Sequence, residues 1–366
     1  MIRPESTEQL ERIISDAAAS GAKFELRGGG SKSDVGAPRD AEVVDMTSFS
    51  GILDYDPAEL VLTALAGMPL AEVEAAVAER RQMLAFEPFD HGPMFGRPAG
   101  AASIGGVVAA GVSGSRRLSR GAARDHLLGF KAVSGRGEAF VGGGKVVKNV
   151  TGYDLSKVMA GSWGRLAALT EVTLKALPRP QVVRSLAIEG LDPRAAVALM
   201  SAAMGSQADV AAAGHRGGST VLRLEGFGSS VEARGLLLQA LSPGLRVLDE
   251  DEAEAFWTGF RNPLPDASAL WRISVPASRA PEVIETLGEG WLMDWAGGLI
   301  WAASEDAAAV RRAAEAVGGH AMLVRAPEGM RAEVPALHPP APGVAALEAR
   351  VRHAFDPAGV FETGRF

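Results

Sequence analysis

The pattern of hydrophobic positions first predicts an amphipathic helix near the N-terminus. Leu10, Ile13, Ile14 and Ala17 recur on one face, Thr7 is placed to cap the start, and Gly21 follows the end. A strand then alternates inward at Phe24 and Leu26, and residues 43–46 read as another. Residues 60–65 form a third strand, and Pro69 suits the first turn of a helix whose stripe is Leu70, Val73 and Val77. A short strand is expected at 83–86. Residues 131–134 and 138–141 read as strands across the Gly135-Arg136-Gly137 turn. Pro178 and Pro180 then mark a boundary. Beyond it the pattern changes to strand-then-helix units. Strands are expected at 185–188, 221–224 and 271–275, with helices from Arg194, Val231 and Pro281, and further strands at 299–303 and 321–324. This is an α+β arrangement with its helices on one sheet face.

What joins the first two strands narrows the chemistry. The segment Arg27-Gly28-Gly29-Gly30-Ser31-Lys32-Ser33 follows a strand, as a nucleotide-binding loop does. A Rossmann or P-loop site needs a helix next, yet Gly36 and Pro38 intervene and a strand follows. The loop still offers consecutive backbone N–H groups with no side chains in the way, which suits a pyrophosphate. Alone it reads first as a flexible loop. Its company raises it: Ala102-Ser103-Ile104-Gly105-Gly106 and Ser113-Gly114 add two more unobstructed stretches.

Charge points the same way. The chain carries a net charge of −7, which excludes a general nucleic-acid binder, but between His91 and Arg165 eleven Lys and Arg stand against three acids. A local positive field in an acidic protein suits a small anionic ligand. The 44 glycines exceed the usual share of about 7% and concentrate in these loops. There is no cysteine, so disulfides, thiolate nucleophiles, cysteinyl-flavin links and ordinary iron–sulfur ligation are excluded within the chain. The polar, acidic first ten residues do not resemble a signal peptide, and no run of about 18 apolar residues occurs, so a cytoplasmic location is expected.

Farther along come Lys148-Asn149-Val150-Thr151-Gly152-Tyr153-Asp154-Leu155, Gly161-Ser162-Trp163-Gly164 and Leu169-Thr170-Glu171-Val172-Thr173-Leu174. The chain ends in Phe355-Asp356-Pro357-Ala358-Gly359-Val360-Phe361-x-x-Gly364-Arg365. With the strand, glycine loop and strand before them, these segments resemble the vanillyl-alcohol oxidase / p-cresol methylhydroxylase superfamily of FAD-binding proteins. Within it they are most similar to the E-subunit family of bacterial glycolate oxidases (glycolate dehydrogenases). The resemblance covers most of residues 1–180 and the last fifteen or so. It implies a two-part FAD-binding domain at 1–178, a smaller α+β cap at 181–340, and a segment at 341–366 that returns to the FAD domain. It implies that Gly28, Gly29, Gly30 and Ser31 contact the FAD pyrophosphate, with Arg27 and Lys32 beside them. Ser103, Gly105, Gly106, Ser113 and Gly114 would line the cofactor channel, with Val172 near the adenine. Lys148, Asn149, Tyr153 and Asp154 are either cofactor contacts or structural. Two departures stand out: Trp163 replaces a glutamate found in related catalytic flavoproteins, and Glu362-Thr363-Gly364 replaces a common Asn-Pro-Gly.

The same resemblance implies an oxidoreductase subunit acting on glycolate, partnered by a sister FAD-containing subunit and an iron–sulfur subunit, and held peripherally at the inner membrane through that complex. The six histidines, at 91, 126, 215, 320, 338 and 353, make no local metal motif, so no metal site is expected. His91 and His126 are the nearest candidates for a base, and a structural role is the first reading of each. The acidic run 249–254 reads as a solvated face, and the tryptophans at 257, 271, 291, 295 and 301 as core or partner surface. A self-sufficient D-2-hydroxy-acid dehydrogenase and a scaffold that has lost its flavin remain alternatives.

Overall fold

The computed structural model describes residues 1–144 and 153–366. The first helix, Thr7–Ser20, buries Leu10, Ile14 and Ala17, and Gly21 ends it in a left-handed conformation. Its cap is Ser6 rather than Thr7: the Ser6 hydroxyl accepts from the Gln9 amide. Ser and Thr compete for this role, and the residue left in extended backbone takes it.

β1 (Phe24–Arg27) and β2 (Glu42–Asp45) pair in parallel. β3 (Ile52–Asp56), β4 (Val61–Leu65), β6 (Leu127–Ser134), β7 (Ala139–Gly143) and β8 (Ala167–Lys175) form an antiparallel sheet in the order β3-β4-β8-β6-β7, numbering in β5 (Gln82–Met83) and β9 (Leu177–Pro178), which pair with each other. The expected strand at 83–86 shrinks to β5, because Leu84 and Phe86 turn away into the core instead of continuing a ladder. β3 escaped the sequence reading because its side chains are nearly all exposed. So did the helix Ile104–Ala110, whose run of small residues carries little periodicity; Ser103 caps it.

The second unit is one antiparallel sheet of eight strands. These are β10 (Val182–Glu189), β11 (Ala212–Arg216), β12 (Ser219–Gly226), β13 (Arg246–Val247), β14 (Leu270–Ser274), β15 (Trp291–Asp294), β16 (Leu299–Ala303) and β17 (His320–Arg325), in the order β13-β10-β12-β11-β15-β16-β14-β17. Period-two alternation divides its two faces. Leu186, Leu222, Trp271, Ile273, Ile300 and Leu323 pack against helices. Ala187, Val221, Leu270, Leu292, Trp301 and Val324 face the first unit, where Met94, Phe89 and Phe95 meet them. The acidic run 249–254 caps and opens the helix Glu250–Thr258, with Asp249 and Glu252 bonding reciprocally to each other's amides.

The chain then returns. Phe355, Val360 and Arg365 give backbone carbonyls to Gly135, Phe24 and Ala37 of the first unit. Gly36 permits the last of these contacts: at φ +90° it has no Cβ, and one would stand 2.5 Å from the Arg365 carbonyl oxygen.

Charges also cross between the two units. Arg116 Nε meets Glu225 at 2.7 Å, and Arg223 bridges Glu87 at 2.9 Å and Glu225 at 3.2 Å. All four are buried or nearly so, and Arg223 and Arg116 hold Glu87 down to about 2 against the upward push of burial. A buried pair broken on one side costs about 3–5 kcal/mol. Glu87→Met is therefore expected to lower the thermal midpoint by several degrees in a thermal-shift measurement, and an unchanged midpoint would show that the cap does not rest on this cluster.

Candidate functional site

A cleft of about 750 Å³, counted to its open mouth, runs between the β1–β2 loop and the helix Ile104–Ala110. Arg27, Gly28, Gly29, Gly30, Ser31, Lys32, Ser103, Gly105 and Gly106 all line it, so nine residues that the sequence singles out from two distant segments come together. Ala167, Ala168 and Leu169 of β8 add an apolar wall, and Trp163 and Arg365 complete the lining. The other three do not line it. Ser113 and Gly114 stand at cavities between the two units, and Val172 is wholly buried in the sheet, opposite Ala64 and Phe130. Lys148 and Asn149 lie outside the described residues. Tyr153 is exposed, and Asp154 caps the helix Leu155–Met159 and pairs with Lys157 at 2.6 Å.

The glycines answer a steric demand. A Cβ on Gly29 would sit 1.6 Å from the Ala101 carbonyl oxygen, and one on Gly28 would sit 2.1 Å from the Ser103 hydroxyl. The loop therefore lies directly against the N-terminus of the second segment. Arg97 pins its tip, donating to the Gly30 carbonyl at 3.1 Å and the Ser33 hydroxyl at 2.8 Å. Among the described residues, the amides of Gly29, Gly30, Ser31 and Lys32 donate to no protein acceptor. Four successive free N–H groups make a concave anion site.

The electrostatics of the cleft ask for an anion too. Glu25 is buried but already satisfied: Arg39 lies 2.7 Å away and Arg27 3.3 Å, and Arg39 outweighs burial to hold the carboxyl below its usual range. Lys32 and Arg365 have no ion-pair partner among the described residues. Lys32 is 8% exposed and reaches only the Ser31 hydroxyl, at 3.1 Å. Burial brings it down to about 8, with Asp90 opposing and Arg365 assisting. Burial and the Arg39 charge bring Arg365 down to about 9. The Arg365 guanidinium donates to the Val35 and Lys32 carbonyls and lies over the Trp163 ring, 5.4 Å from its centroid. Trp163 holds a left-handed φ of 58°, so the residue that departs from the glutamate pattern is placed by a strained turn to stack on Arg365. Free amides and two uncompensated buried cations fit the pyrophosphate of FAD.

The histidines divide. His126 is buried between two backbone carbonyls, with Nε2 2.7 Å from that of Arg120 and Nδ1 3.3 Å from that of Lys175, so it is structural. His91 stacks on Phe89 with ring centroids 4.7 Å apart, and its buried Nδ1 has no partner. Burial, helped by the Lys32 charge, holds it well below the ordinary histidine value and hence neutral. Among the described residues no three His, Asp or Glu side chains could hold a metal ion, and no helix is long and apolar enough to cross a membrane.

The sequence reading missed Arg223, Glu225, Arg272 and Asp294, the charged residues on the inner cap face. A signal existed: in Val221-Leu222-Arg223-Leu224-Glu225 and Leu270-Trp271-Arg272-Ile273, charges sit at alternate positions of otherwise apolar strands, which puts them on a buried face.

Comparison with known proteins agrees with this geometry. The FAD-binding domain family matches residues 1–143. A solved structure of alkyldihydroxyacetonephosphate synthase covers 100% of this chain and 76% of its own at a TM-score of 0.68, with 15% identity, which is a likeness of fold. Family model, fold and cleft thus define an FAD-binding oxidoreductase. Glycolate oxidase subunit GlcE of Escherichia coli (strain K12) is 36% identical over 364 residues, 98% of this chain and 95% of that subunit. The chain belongs to that GlcE family. A D-lactate dehydrogenase of Archaeoglobus fulgidus is 30% identical over 191 residues, but these are 51% of this chain and only 41% of that enzyme.

Lys32 gives the cleft a pH signature. Its value in the free folded protein, about 8, lies below the ordinary 10.5, and a bound pyrophosphate raises it again. FAD affinity is thus expected to be full below about pH 8 and to fall as pH rises through the bound-state value. Lys32→Met should weaken FAD by roughly 10- to 100-fold at pH 7, the worth of one charged hydrogen bond, and flatten the fall. Calorimetric titration at pH 7 to 10 checks this; the same slope in both proteins would remove Lys32 from the site.

Proposed function

We propose that this chain is the FAD-binding subunit of a glycolate oxidase (glycolate dehydrogenase) complex that converts glycolate to glyoxylate. The observation that carries the reading is the cleft: a glycine-floored anion site with two unpaired buried cations, in a chain similar along nearly its whole length to a glycolate oxidase subunit. In this reading residues 1–178 hold the cofactor, 181–340 cap it, and 341–366 return to close the cleft with Arg365. Gly28 to Lys32 bind the pyrophosphate, and Ser103, Gly105 and Gly106 form the opposite wall. Bound FAD supplies an acceptor for a hydride from the substrate carbon.

His91 lines the cavity beside the cleft but is a poor base. His91 is held far from the pKa that suits a base near neutral pH. This supports placing the substrate base and metal on a sister FAD-containing subunit, with an iron–sulfur subunit carrying electrons onward, since this chain has no cysteine to do so. A second reading, a self-sufficient D-2-hydroxy-acid dehydrogenase, is favoured by the arginine-lined cavity that adjoins the cleft.

Two measurements separate these. Gly30→Asp, where an added Cβ meets nothing closer than 3.7 Å, should yield folded, flavin-free protein by visible absorbance, because the added carboxylate enters the anion site; normal flavin content would refute the cofactor assignment. The purified flavin-loaded chain should fail to reduce a dye with glycolate or D-lactate, and should restore that reaction when co-expressed with its partner subunits. Turnover by the isolated chain would establish the second reading instead.

A further inference from the structure

A second cavity, of about 960 Å³ counted to its mouth, lies between the two units and shares Ala110 and Trp163 with the FAD cleft. Arg117, Arg124 and Arg272 line it, and among the described residues no carboxylate does. Arg272 projects from the inner face of the cap sheet, in register with Trp301 on one neighbouring strand and Met322 on the other, and all three reach the cavity. Arg124 has Asp125 at 3.9 Å, but Arg117 and Arg272 form no ion pair and donate no side-chain hydrogen bond among the described residues.

What holds those two cations is a single ring. The guanidinium of Arg117 lies 4.5 Å from the Trp295 centroid and that of Arg272 lies 4.9 Å from it. Cation–π contact orients a guanidinium while leaving its N–H groups free. Trp295 is itself fixed at both ends. Its indole N–H donates to the Gly114 carbonyl at 3.0 Å, and its amide to Asp294 at 2.8 Å. It opens the turn between β15 and β16, where Trp295 and Ala296 take left-handed φ values of 52° and 54°. A left-handed non-glycine residue costs about 1–2 kcal/mol. Strain of this kind persists where the surroundings impose it, and it gathers at ligand sites.

We propose that this cavity is an anion subsite built on Arg272, Trp295 and Arg117, and that it takes a compact dianion, with two adjacent acidic groups, in preference to a monoanion. The argument is one of charge. Two positioned guanidiniums with free donors are matched by a small dicarboxylate, whereas one carboxylate leaves the second cation desolvated and unpaired. Burial and the mutual repulsion of the pair lower Arg272 to about 10 despite the nearby Asp294, and a ligand that touches both guanidiniums relieves that repulsion. The inference goes beyond the reading above, whose glycolate is a monoanion, and it rests on that reading for the neighbouring cofactor.

The test uses FAD-loaded protein, with oxalate as the dianion and acetate as the monoanion, followed by calorimetry and by tryptophan fluorescence. Oxalate is expected to bind at least tenfold more tightly than acetate and to change the fluorescence, and Trp295→Phe should remove that change. Arg272→Met and Arg117→Met should each weaken oxalate at least tenfold, whereas Arg246→Met, an exposed cation on the edge strand β13, should not. Equal affinity for oxalate and acetate would overturn the dianion preference. Wild-type oxalate binding in the arginine variants would overturn the site, and Arg117→Met, at a partly exposed position, decides this should Arg272→Met fail to fold. Flavin absorbance of the same samples reports separately on the cofactor assignment, so a protein without flavin that still binds oxalate would refute that assignment alone.

Discussion

Lys32 and Arg365 are two positive charges brought into one cleft from opposite ends of the chain, and among the described residues neither forms an ion pair, although Asp90 and Glu25 act on them from farther away. Everything around the cleft serves to keep them there. The glycine loop lets Lys32 turn inward against the second segment, and Gly36 admits the returning terminus so that Arg365 can lie across Trp163. Desolvating two cations is costly unless an anion accompanies them. The free protein therefore carries an electrostatic deficit that an anion would remove, and under the proposed pyrophosphate assignment cofactor binding and local stability become one quantity.

The same principle of unpaired charge distinguishes the two regions of the interface between the units. Where Glu87, Arg116, Arg223 and Glu225 meet, opposite charges close on one another and hold the cap in place. A short distance away Asp294 accepts from Ser115 at 2.7 Å, and burial raises it to about 7, while Arg117 and Arg272 share an aromatic ring instead of an acid. The first region is complete as it stands. The second is arranged around something that the chain does not itself supply.

Much of this could be read from the sequence where a segment's local chemistry and its tertiary role coincide. The glycines of 28–30 must lack side chains both for the turn and for the contact with Ala101, and Leu70, Val73 and Val77 form their helix with the periodicity that buries them. Reading stopped short where tertiary context decides. Ser113 and Gly114 have the composition of a cofactor wall, and the structure places them outside the cleft: the Ser113 hydroxyl accepts from the Ala123 amide of the first unit, and the Gly114 carbonyl from the Trp295 indole of the second. Val172 alternates correctly along its strand, and that alternation turns it into the core. Arg272 and Asp294 gain their importance only when the strand order places β14 and β15 on either side of β16, which no local pattern states.

The central claim is that the protein grips its cofactor by the pyrophosphate. Titrating flavin-free protein with FAD and with riboflavin, which shares the ring but has no phosphate, tests it most directly. The account predicts that riboflavin binds at least a hundredfold more weakly than FAD at low salt; equal affinities would contradict it.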